Sequence, residues 1–186
     1  MSLKLFRSTG FHSILSPGET RVALHPGWAV AGVAGWIAVA CNAWLWQALV
    51  RGHNPLQPLL AGVAAFGTVA AVLSAFGWRR TFKLAATVAL LLAGLLAAGI
   101  WTQDISFASV LEGRRIASLL PTWASLFGWQ VPLLLVLVGG VPVWWLWHTQ
   151  LRRLSAASQW KTNVWGVVLY APLGAAAWWM LARLPA

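Results

Sequence analysis

Polar and apolar residues in this chain are grouped in blocks rather than alternating at a helical or strand period. Five apolar runs, 27–50, 56–78, 84–101, 131–147 and 164–182, are separated by polar stretches. Each run is close to the roughly 20 residues that a helix needs to cross a bilayer core. The 13 Lys and Arg and the 3 Asp and Glu all fall in the gaps. A charge at the centre of a span costs about 2.5–3.5 kcal/mol on insertion. The pattern therefore predicts an all-α membrane protein, a five-helix transmembrane bundle over 27–186 preceded by a polar segment, 1–26. Helices are expected at about 27–50, 56–78, 84–101, 131–147 and 164–182, with one sizeable loop at 102–130.

The gaps add detail. Residues 16–18, Ser-Pro-Gly, read as a turn, and His25-Pro26-Gly27 opens the first helix. Asn54-Pro55 and Pro58 make a tight entry into the second helix. Residues 79–83 read as a very short turn between the second and third helices. Residues 105–120 are compatible with a helix that Pro121 would end, but its polar face is not clean. Pro142 and Pro172 lie inside the fourth and fifth runs, where a proline kinks the backbone. Ala31/Gly35, Gly62/Ala65 and Gly94/Ala97/Ala98 supply small residues for close helix packing.

Composition confirms the class: 60% of residues are hydrophobic and 9% charged, against about 25% charged in a soluble domain. The net charge of +10 does not imply nucleic acid, because of where the charges sit. Lys4, Arg7, Arg21, Arg79, Arg80, Lys83, Arg152, Arg153 and Lys161 fall on one side of the bundle, against Arg51, Arg114, Arg115 and Arg183 on the other. The positive-inside rule then predicts a cytoplasmic N-terminus and a periplasmic C-terminus. Most of the 15 Trp mark the run ends, among them Trp28, Trp44, Trp46, Trp78, Trp101, Trp129, Trp147, Trp160 and Trp165. Indole prefers the head-group level. The first run is too long, and its basic region too far upstream, for a signal peptide. Ala38–Cys41 loosely resembles a lipoprotein cleavage box, but it lies deep in a span; a buried packing cysteine is the expected reading.

Candidate chemistry is sparse. The runs contain no ionisable residue that would mark a proton or ion pathway. His12, His25, His53 and His148 lie outside the runs or at their edges, so no paired haem ligands arise, and no metal cluster or nucleophilic triad can be assembled. Of the polar residues within runs, Asn42 stands out, because an amide in lipid requires a partner on another helix. No catalytic residue, metal site or cofactor is expected in this chain.

The layout, with the segment Trp36-Ile-Ala-Val-Ala-Cys41-Asn42-Ala-Trp44-Leu-Trp46, resembles the N-terminal membrane domain of bacterial lipid A phosphoethanolamine transferases. Residues Gln103-Asp104-Ile105-Ser106-Phe107 and Ser109-Val110-Leu111-Glu112-Gly113 resemble that family's loop after the third helix, and Leu151-Arg152-Arg153 also fits. The resemblance implies an inner-membrane, multi-pass protein serving phosphoethanolamine transfer from phosphatidylethanolamine to lipid A. Family members carry a sulfatase-like domain with the zinc site and nucleophile after the fifth helix. This chain ends at Ala186, so it is expected to be catalytically incomplete on its own, with a separate sulfatase-like domain or a larger membrane complex as partner. The head-group contacts implied by the resemblance fall on Asp104, Ser109 and Glu112, although two of the loop's polar positions are replaced here by Gly113 and Ala117. The alternative reading is a non-enzymatic accessory subunit of an inner-membrane complex. A small transporter is disfavoured, for want of an intramembrane polar site or an inverted repeat.

Overall fold

The computed structural model describes residues 23–111, 116–152 and 154–184, and secondary structure within them is helical apart from one isolated β-bridge. The first run is two helices, α1 (Pro26–Val39) and α2 (Ala43–Arg51), bent by 45°. Next come α3 (Leu56–Ala75), α4 (Arg79–Thr102), and two short pieces in the loop, α5 (Phe107–Leu111) and α6 (Trp123–Leu126). The bundle closes with α7 (Gln130–His148) and α8 (Ala156–Leu181). Four helices are long and apolar enough to cross a membrane, or five if the bent α1–α2 pair is one span.

Three boundaries differ from the sequence expectation, each for a local reason. The turn between α3 and α4 is Phe76-Gly77-Trp78, and 79–83 belong to α4. Thr81 donates its hydroxyl to Phe76 O (3.0 Å) and Trp78 O (3.1 Å) at the start of α4, and Lys83 in the second turn finds acceptors at the end of α7. Its ammonium donates to the carbonyls of Trp147 (3.2 Å) and Thr149 (3.1 Å) and lies over the Trp147 ring. A cation at the end of α7 meets carbonyls left free by the helix terminus and the negative end of its dipole. At the other end of the chain, α8 begins at Ala156 rather than near 164, capped by the Ser155 hydroxyl, which accepts from Ser158 N. Its 26 residues span about 39 Å at 1.5 Å per residue. That exceeds the roughly 30 Å of a hydrocarbon core, and Lys161 falls in its second turn. In the loop, 105–120 is not one helix: α5 is followed, past 112–115, by a 3₁₀ turn at Ile116–Leu119.

The packing order is α7, α4, α1/α2, α3, α8. The inner helices α3 and α4 each bury 39% of their span, the edge helices α7 and α8 only 22% and 17%. Lipid-facing surface on the edge helices is expected of a small bundle whose solvent is as apolar as its side chains. The common core is a small-residue face of α1 (Ala29, Val33, Ala34, Ile37) against Ala70 and Leu73 of α3 and Phe82, Ala86 and Leu90 of α4. A parallel β-bridge ties the chain before α1 to the chain after α7: Leu24 N donates to Gln150 O (2.9 Å) and Arg152 N donates to Leu24 O (2.9 Å).

Breaks in the helices are compensated by side chains. Asn42 is buried between α1 and α2. Its Oδ1 accepts from Leu45 N (3.1 Å), capping α2, and its Nδ2 donates to Pro58 O of α3 (2.8 Å). The Trp46 indole donates to Val39 O (2.9 Å), a carbonyl beside the break. In α7, Pro142 has no N–H for Val138 O, four residues back. The helix widens to a π segment, Leu135–Gly140, and the Trp36 indole of α1 donates to Val138 O at 2.8 Å. Backbone groups in hydrocarbon must find partners inside the protein, and here indole N–H groups serve.

Candidate head-group site at the Asp104 end

α2 ends at Arg51, and the chain reverses through Gly52, whose φ of +67° is the left-handed conformation that glycine adopts without strain. His53 N closes the turn on Ala48 O (2.9 Å), and the Asn54 side chain accepts from Leu56 N (3.0 Å) to start α3. Opposite, α4 stops at Thr102. Asp104 takes φ +51°, a left-handed conformation that Asp tolerates better than most residues. That reversal buries Ile105 beneath the loop, with Ile105 N bonded to Ile100 O (3.2 Å).

The two reversals are joined directly. Arg51 forms an ion pair with Asp104. Trp44 donates its indole N–H to Ile105 O (3.0 Å) and meets Phe107 edge-to-face at 5.1 Å. Gln47, buried on α2, donates to Ile100 O (3.4 Å). Between them lies an open cavity of about 280 Å³, with Gln47, Arg51, His53, Asn54, Gln57 and Ser106 as its polar lining and Trp44 and Phe107 as aromatic walls. Farther along, the loop folds back on the bundle. Leu119 is buried against Gly99, where a Cβ would overlap the Leu119 carbonyl, and Gln103 donates to Leu120 O (2.6 Å).

The residues singled out from sequence occupy different places around this cavity. Asp104 sits at its rim and acts on it through Arg51. Ser109 lies in α5, its hydroxyl donating to Ser106 O (2.8 Å), and it is not part of the lining. Glu112 lies outside the described residues. The cavity brings forward Arg51, His53, Gln57 and Ser106 instead. They come from two distant segments, and only the Arg51–Asp104 charge complement hinted at their meeting. Among the described residues no group of three His, Cys, Asp or Glu is placed to hold a metal. Cys41 is buried at the α1–α2 break, as the packing reading of this residue expects. Compared with models of protein families, with curated proteins and with solved structures, the chain matches none.

Proposed function

We propose that this bundle holds the head group of a phosphatidylethanolamine-like lipid at its Asp104 end and serves phosphoethanolamine transfer to lipid A, as a membrane domain of the transferase type. One observation carries the reading. The two segments that bear the resemblance, 36–46 and 103–113, lie far apart in sequence yet meet through the Trp44–Ile105 hydrogen bond and the Trp44–Phe107 ring contact, beside the Arg51–Asp104 pair. They contribute Trp44, Ser106 and Phe107 to the cavity described above.

Its chemistry suits a zwitterion. A guanidinium binds phosphate oxygens through paired N–H donors, and among the described residues Arg51 has one carboxylate partner, Asp104. The primary ammonium finds aromatic faces at Trp44 and Phe107 and the negative charge of Asp104. In this reading the Asp104 end faces the periplasm, the Lys83 end faces the cytoplasm, and the protein resides in a bacterial inner membrane. Transfer needs a nucleophile in line with the donor phosphorus. The bundle's part is proximity, holding the donor where a sulfatase-like catalytic partner reaches it.

Mass spectrometry of lipid A from cells with and without the gene tests the proposal. A phosphoethanolamine adduct that falls when the gene is removed, and falls again in an Arg51→Gln strain with unchanged protein level, supports it. An adduct indifferent to the gene overturns it. The second reading, an accessory subunit of a membrane complex, draws on the exposed aromatics Trp123 (81%), Phe127 (90%) and Trp129 (73%) beside α6. Stoichiometric co-purification with other membrane proteins, together with an unchanged adduct, would select it.

A further inference from the structure

The opposite end of the bundle holds a larger cavity, about 320 Å³, between the start of α1, the end of α3 and α8. Its polar lining, His25, Ser74, Thr162, Asn163 and Tyr170, includes N–H and O–H donors. Asn163 is only 7% exposed; its Oδ1 accepts from Gln159 Nε2 (2.9 Å), while its Nδ2 has no hydrogen-bond partner among the described residues. Ser74, 4% exposed, likewise makes no side-chain hydrogen bond among them. Among the described residues, side-chain polar atoms fully cut off from solvent all have partners. The Asn163 amide and the Ser74 hydroxyl must therefore open onto the cavity they line. His25 adds a further donor: its Nδ1 accepts from Gly27 N (3.2 Å), which leaves the ring proton on Nε2. Tyr170 adds its phenol, and none of the described lining residues is acidic.

We infer that this cavity is a lipid site, distinct from the Asp104 end, that takes the phosphate-and-ester region of an anionic glycerophospholipid. Donors that open onto a cavity and have no acceptor among the described residues are available to a ligand's oxygens, and an acceptor-rich ligand is the complement of this lining. The walls are the exposed indoles of Trp28 and Trp165 with Leu169 below them, an apolar channel for acyl chains. Lys161 lies one helical turn before Trp165 on the same face. It is exposed and has no ion pair or hydrogen bond among the described residues. A phosphate at the Trp165 rim of the cavity would meet it. Charge on the ligand is thus matched at the mouth, and the ester oxygens are matched at the floor.

Native mass spectrometry of the purified chain, released from nanodiscs of phosphatidylglycerol or of phosphatidylcholine, tests the site. One phosphatidylglycerol retained per chain, and fewer phosphatidylcholine, is the expected result. Asn163→Leu should lower retention about tenfold by removing a donor to a charged ligand. If that variant loses its fold, Lys161→Gln on the exposed face keeps the test alive. It should reduce the preference for the anionic lipid about fivefold, the worth of one basic group near an anionic surface. Equal retention of both lipids by the wild type would overturn the proposal. So would retention unaffected by Lys161→Gln, or displacement of the lipid by millimolar inorganic phosphate alone, which would mark a simple anion site.

Discussion

The α3–α8 seam and the α1–α7 contact hold helices together in the same apolar surroundings with opposite materials. Along the seam, side chains are removed. A Cβ on Gly67 would overlap the backbone of Gly174, one on Gly166 would overlap the Ser74 hydroxyl, and one on Gly77 would overlap the Asn163 amide. Gln159 then closes the end of the seam by donating to Gly77 O (2.8 Å). Between α1 and α7, a large side chain is used instead: the Trp36 indole reaches across to the Val138 carbonyl, which Pro142 has no N–H to meet. Lipid tails are as apolar as leucine, so hydrophobicity cannot favour either contact. What remains is close backbone approach or a hydrogen bond. The seam uses the first and tolerates no added atom, whereas the bridge uses the second and should tolerate a change of shape that keeps the bond.

The largest effect should therefore come from the seam. Gly67→Val puts a branched side chain where backbone meets backbone, and overpacking of this kind costs about 3 kcal/mol or more when neither side can yield. Thermal unfolding in detergent, followed by size-exclusion chromatography, should show early loss of the monodisperse species. An unchanged midpoint would mean that the helices are not held at this distance. Gly99→Ala should act next, and locally. It presses on the Leu119 carbonyl and should lift the 116–121 segment from α4, at about 1–3 kcal/mol. Faster hydrogen exchange there, with α3 and α8 unaffected, is the expected signature. Smallest is Trp36→Phe, which removes the indole donor to Val138 O and should cost about 1 kcal/mol. The sharper measurement is its pairing with Pro142→Ala, which gives residue 142 an N–H for the same carbonyl. In a double-mutant cycle the loss from Trp36→Phe should shrink in the Pro142→Ala background. Additive losses would show that the indole bond carries no stabilisation of its own.

Much of this architecture was legible in the chain. The apolar runs find their counterparts in helices able to cross a membrane, because the cost of a charge in hydrocarbon is a local rule that each stretch obeys by itself. Asn42 was legible as a residue needing an interhelical partner, and Pro58 O is that partner. The α1–α2 break was not. No glycine or proline occupies 40–42, and a run of apolar letters reads the same whether its hydrogen bonds continue or stop. The tryptophans read from sequence as boundary markers; Trp36 and Trp46, both partly exposed, also donate to backbone carbonyls near breaks in the helices. The small-residue pairs read from sequence include Gly62, packed near Ala38 O and Asn42, and Gly94, packed on Gly139. The tightest seam, Gly67 with Gly174, lies outside those pairs, since which small residues face each other depends on which helices become neighbours.

Sequence by itself determined that this is a helical bundle with its charges at the ends, since transfer between water and hydrocarbon is decided residue by residue. Tertiary structure alone decided the neighbours: α3 packs chiefly on α8 rather than on α4, although a three-residue turn, 76–78, joins it to α4. It also decided the sites. The Asp104-end cavity needs Arg51 and Ser106 side by side, and the cavity at the far end needs Ser74 beside Asn163. Hydrogen bonds and backbone contacts act over a few ångströms, and only the packed chain brings residues that distant in sequence within that range.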